Sequence, residues 1–248
     1  MRRAPLPRYW RRIRSKLPTT PEAPMGERIK LTASDGFVLN AYRAAPEGKP
    51  RGGVVLIQEV WGLSNWVRSV ADRWARHGYL TVAPAMFDRA EYGFESENYG
   101  ADHFPLVGEL MKKFSMETAM TDIEAGIKAA SEAGKVGITG YCFGGRVSWI
   151  AASKLSGLSA ASAYYGGGVP NYIELTPKVP IEMHFGDKDQ GIPLEQVEQL
   201  KARHPEADIY VYSGDHGFCN SDRPDKFDEA SCTKASVRSL EFFHKHLG

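Results

Sequence analysis

The chain reads as an α/β domain with a mostly parallel sheet, helices on both faces and an antiparallel N-terminal hairpin at one edge. Short, continuously apolar runs alternate with segments of helical periodicity, as parallel strands covered on both sides require. Ahead of that alternation, two stretches rich in β-favouring residues flank a turn signal. At 248 residues, with 42% hydrophobic and 25% charged residues, the length suits one such core and leaves little for a second.

In order, RIKLTA (28–33) and FVLNAYRA (37–44) flank SDG and form the hairpin. GVVLIQ (53–58) is the first parallel strand, and Val67, Val70, Ala71 and Trp74 mark the helix after it. LTVAP (80–84) is a strand, and residues 88–113 follow as a long irregular stretch rich in aromatics and acids, expected to act as a lid or substrate-binding segment. Met116, Met120, Ile123, Ile127 and Ala130 lie on one helix face. KVGITG (135–140) is a strand, with Val147, Ile150 and Ala151 on the helix beyond it. LSAASAYY (158–165), VPIEMHF (179–185) and ADIYVY (207–212) complete the strands. Leu194, Val197 and Leu200 predict a helix before the last of these, and Val237, Leu240, Phe243 and Leu247 a C-terminal one.

Charge separates a leader from the body. Residues 1–24 hold seven basic residues against one acidic, leaving 24 basic and 29 acidic beyond them. The leader is expected to be flexible, and residues 25–248 to form the domain. Trp10, Ile13 and Leu17 would allow a short basic amphipathic helix, but no apolar core of a signal peptide follows the arginines. A mildly acidic body argues against nucleic acid as a partner, and no run of 18 apolar residues occurs. Three cysteines without regular spacing do not read as a disulfide framework, which points to a reducing cytoplasm. CxxC and HExxH are both absent, so no metal is expected.

Cys142 lies in Gly140-Tyr141-Cys142-Phe143-Gly144, between a predicted strand and a predicted helix. That is the context of a nucleophile elbow, where glycines let a sharp turn lie against neighbouring backbone. The helix start lowers a thiol's pKa and offers N–H groups to an oxyanion. An acid and a histidine are expected after later strands. Asp189 follows the strand ending at Phe185, and His216 follows the one ending at Tyr212. Asp187 and Asp215 compete for the acid's place and read as solvated turn residues. His184 reads as a satisfied core histidine, whereas His77, His103, His204, His244 and His246 read as surface residues. Packing is the reading for Cys219, and Cys232 is structural.

From about Met25 onward the chain resembles the dienelactone hydrolases (carboxymethylenebutenolidases), which have the α/β-hydrolase fold. The resemblance rests on QEVWGL (58–63), HGYLTVAPAMF (77–87), KVGITGYCFGG (135–145), AYYGGG (163–168), MHFGDKDQGIP (183–193) and DHGF (215–218). It implies Cys142 as nucleophile, His216 as base and acid, Asp189 as the group orienting it, and an oxyanion hole from the N–H groups of Val60 and Phe143. Glu59 would contact the thiol and help generate the thiolate. A substrate carboxylate would lie between two arginines. Arg89 matches the first, whereas Asn220 stands at the second and Arg223 follows three residues later. The implied reaction is hydrolysis of a small ester or lactone, anionic like dienelactone, without a cofactor. A broader carboxylesterase or thioesterase, or a silent small-anion-binding protein, would share the pattern. A monomer is compatible with all three.

Overall fold

The computed structural model describes residues 25–248, so the reading of residues 1–24 as a basic leader lies outside the described residues. Among the described residues eight strands form one sheet: β1 (Gly26–Thr32), β2 (Val38–Ala44), β3 (Gly52–Ile57), β4 (Tyr79–Pro84), β5 (Val136–Tyr141), β6 (Leu158–Tyr164), β7 (Ile181–Gly186) and β8 (Asp208–Tyr212). Their order is β1-β2-β4-β3-β5-β6-β7-β8. Only the β1–β2 and β2–β4 pairs are antiparallel. The hairpin therefore lies at one edge, and β3, β4, β5 and β7 are buried along their whole length.

The helices are α1 (Asn65–Arg76), α2 (Phe104–Lys113), α3 (Met116–Ala130), α4 (Phe143–Lys154), α5 (Leu194–Arg203) and α6 (Glu229–His246). Successive strand residues face opposite sides, which shows how the layers are arranged. A Cβ built at Gly52 would meet Leu247 just beyond α6, while one at Gly53 would meet Ala130 of α3. Helix α1 shares the α6 face, because Trp74 packs on Phe243 with ring centroids 5.1 Å apart. Side-chain caps fix three helix starts: Ser64 accepts from Val67, Ser115 from Thr118 and Asp228 from Ser231.

Three expectations need correction. The stretch 88–113 ends in helix α2, which buries only Val107 and Leu110, so its apolar periodicity is too sparse to read. His204 is 1% exposed and bonded to Glu206 and the Ile173 carbonyl. Cys219 and Cys232 form a disulfide with Cα atoms 4.8 Å apart, because the loop after His216 folds back beneath α6. Linear spacing does not record that approach. His184, by contrast, is a satisfied core histidine, within reach of Glu182, Ser162, Ser239 and Tyr212. No helix among the described residues is long and apolar enough to cross a membrane.

Candidate active site

Chemistry gathers at the carboxyl ends of the parallel strands, where chain reversals bring distant side chains together. Cys142 follows β5 at φ 55° and ψ −116°, a sparsely populated conformation for a residue with a Cβ. The turn is possible because its flanks lack side chains. A Cβ at Gly140 would lie 2.2 Å from the Gly144 carbonyl oxygen, and one at Gly144 would lie 2.3 Å from that of Ile57. The Cys142 N–H donates to the Tyr164 carbonyl at 3.0 Å, tying the elbow to β6.

Asp189 comes from the loop after β7 and His216 from the loop after β8. His216 Nδ1 lies 2.7 Å from Asp189 Oδ2, and its Nε2 lies 3.0 Å from Cys142 Sγ. The other Asp189 oxygen accepts from Gly191 N–H at 2.8 Å, fixing the carboxylate's orientation. Acid and thiol thus occupy opposite ends of one imidazole. Burial disfavours the imidazolium, but the Cys142 sulfur and the Asp189 carboxylate outweigh it and raise the His216 pKa to about 11. Asp215 is occupied elsewhere, with Lys226 and the His216 N–H. Asp187 accepts from Gly214 N–H.

Glu59 lies two residues beyond β3 and is 3% exposed. Its Oε2 accepts from Asn220 Nδ2 at 2.7 Å and its Oε1 from the Tyr165 hydroxyl at 3.3 Å. Burial raises its pKa, against the opposing pull of Asn220, His216, Arg223 and Tyr165. Among the described residues no hydrogen bond joins Glu59 to the thiol, whose partner is His216. Asn220 and Tyr165 were not anticipated as partners of Glu59. Asn220 stood out in the sequence only as the place of a missing arginine, and Tyr165 only as the end of a strand pattern. Phe143 opens α4, so its N–H is among those a helix leaves unsatisfied. Val60 directly follows Glu59. The 88–113 segment reaches the same end of the sheet, where Tyr99 and Phe104 pack on Trp61 with centroids 5.5 and 5.6 Å apart.

Arg89 does not join this group. Its guanidinium bonds Asp122 at 2.8 Å and Asp35 at 2.8 Å and lies over the Phe37 ring. A substrate carboxylate would have to displace two protein carboxylates to use it. Arg223 lies near enough to Glu59 to lower its pKa and approaches Asp225 at 3.4 Å.

Residues 39–247 match the model of the dienelactone hydrolase family. A Yersinia pestis protein provisionally named a carboxymethylenebutenolidase is 31% identical over 234 residues, covering 86% of each chain. Carboxymethylenebutenolidase 1 of Cupriavidus pinatubonensis is 27% identical over 227 residues, covering 88% of this chain and 96% of the relative. Among solved structures, a Klebsiella pneumoniae protein provisionally named a dienelactone hydrolase superposes with a TM-score of 0.77 at 27% identity. That match covers 89% of this chain and 99% of the other.

Proposed function

The chain belongs to the dienelactone hydrolase family, and from that premise we propose that it hydrolyses a small ester or lactone through a thioester on Cys142. The observation that carries this reading is the alignment of Cys142, His216 and Asp189 across a single imidazole. His216 Nε2 takes the thiol proton, and the imidazolium is held by Asp189 at Nδ1. The thiolate attacks the acyl carbon, and the resulting oxyanion is held by the N–H groups of Val60 and Phe143. His216 returns its proton to the leaving alkoxide, so the alcohol departs from an ester, or stays on the acyl chain of an opened lactone, and the thioester remains. Water then attacks the thioester, with His216 as base, and releases the acid and the thiol.

Glu59 tunes the charge around this step. Its carboxylate is bonded to Asn220 and Tyr165, whose donors spread its charge away from the thiolate that an unpaired carboxylate would oppose. Arg89 is not given the role of substrate anchor, because Asp122 and Asp35 occupy it. The test is turnover of an aryl ester by the full chain and by Cys142→Ala. The reading requires turnover to vanish in the variant while its far-UV circular dichroism shows it still folded. Persistent turnover there would reject Cys142 as nucleophile.

A further inference from the structure

Three arginines come from the segments that follow β4, β5 and β8, and one of the three lacks a carboxylate among the described residues. Arg89 is held by Asp122 and Asp35; Arg223 has Asp225 at 3.4 Å, though its Nε is also buried without a partner. Arg146 makes no ion pair and no side-chain hydrogen bond among the described residues, and its Nε is closed off from solvent without a partner. A guanidinium has five donors in a fixed plane and cannot lose its proton. Leaving such a group half-buried and unbonded is costly unless a ligand completes it.

Arg146 is also in the right place. It lies four residues after Cys142, one turn along α4, and its N–H donates to the Cys142 carbonyl at 3.3 Å. Its Cζ is 5.8 Å from the centroid of Phe143, the residue whose N–H is assigned to the oxyanion. On the other side the guanidinium crosses the glycine loop after β6. A Cβ at Gly168, whose φ is +80°, would come within 3.0 Å of Nη1. Phe143 and Gly168 therefore confine the side chain. Confinement lowers the entropy lost when an anion binds.

We propose that Arg146 selects substrates whose acyl chain carries a carboxylate, holding that carboxylate about one helical turn from the reacting carbonyl. The inference rests on the assignment of Cys142 as nucleophile. The acyl side is specified because Arg146 shares a helical turn with the oxyanion donor Phe143. Arg146 touches the substrate's distal anion, so its effect should appear in KM before kcat.

The test compares the mono-4-nitrophenyl ester of glutarate with 4-nitrophenyl butyrate, which lacks the distal charge. In Arg146→Gln, the ratio of kcat/KM for the charged ester to that for the neutral one should fall about ten- to a hundredfold, chiefly through KM. Arg146→Lys should keep part of the preference, since it retains charge but not the planar fork, and it serves if the glutamine variant melts early. A ratio equal to that of the parent in both variants would overturn the proposal. A second readout does not depend on turnover: free glutarate should slow alkylation of Cys142 by iodoacetamide in the parent and not in Arg146→Gln. Equal protection in both would overturn the selector even if neither ester were hydrolysed, whereas failed hydrolysis with Arg146-dependent protection would reject only the hydrolytic reading.

Discussion

Two histidines of this molecule stand among similar partners and do different things. His216 lies between a carboxylate and a thiol, and His184 lies among Glu182, Ser162, Ser239 and the Tyr212 hydroxyl. The first difference is geometric. Around His216 the acid is at Nδ1 and the nucleophile at Nε2, so a proton accepted at one end leaves a charge stabilised at the other. Around His184 the order is reversed: Glu182 and Ser239 approach Nε2, each at 3.1 Å, and the Tyr212 hydroxyl lies 2.9 Å from Nδ1. The second difference is access. The His216 side chain is 30% exposed and that of His184 is 0% exposed. An acid, a histidine and a hydroxyl in contact are therefore not enough for catalysis: the group opposite the acid must be a nucleophile at a strand end that a substrate can reach.

Making one conservative change at each acid would break this comparison most directly. Asp189→Asn should lower kcat by about a thousandfold to ten-thousandfold, because the amide favours the wrong imidazole tautomer. Glu182→Gln should leave kcat within a fewfold. Parallel losses in both variants would show that the two networks act as one.

At the other histidine the expected loss is of stability. His184→Ala removes the partner of a carboxylate that is 1% exposed and should cost about 3–5 kcal/mol in denaturant unfolding. Turnover per folded molecule should persist. A drop below about 1 kcal/mol would mean that Glu182 is satisfied without the imidazole.

Helix α6 joins the two regions, contributing Ser239 to the His184 network and Cys232 to the disulfide beside the His216 loop. For a loop of 13 residues, chain entropy predicts that replacing both cysteines by serine costs about 3 kcal/mol. Reductant should lower the melting temperature of the parent and leave that of the double variant where it is. A parent insensitive to reductant would remove the disulfide from the account.

The smallest of these effects is electrostatic. Cys142 is the first of the partners that raise the His216 pKa to about 11, so Cys142→Ala should lower it, as followed by NMR titration of the imidazole. The sign for stability follows from linkage. The folded pKa lies above the unfolded value of about 6.5, so the stabilisation is full below that pH and is lost as pH rises toward 11. An unchanged titration would place the thiol outside the imidazole's field.

The legibility of the sequence divides along similar lines. Cys142, Asp189 and His216 could be placed together because each lies in the turn or loop after a strand legible in the sequence, and because the elbow needs glycine where steric contact forbids a Cβ. The sheet was legible from the same strands, down to the antiparallel edge. Helix α2 was not, since two buried residues in ten leave no periodic stripe. Contacts between loops left no local trace: the Asn220–Glu59 bond and the Cys219–Cys232 pair depend on how two chain reversals meet. Arg89 shows the converse limit. Its position after PAMF matches a motif, but what a guanidinium binds is decided by carboxylates that β-hairpin and helix bring from elsewhere, here Asp35 and Asp122.

The central claim is a covalent acyl group on Cys142, and acid quenching during turnover of a 4-nitrophenyl ester, followed by peptide mass mapping, tests it most directly. The predicted result is the acyl mass on the peptide containing Cys142, labile to hydroxylamine and absent in Cys142→Ala. Steady ester turnover with Cys142 unmodified and the acyl group on another residue would contradict it.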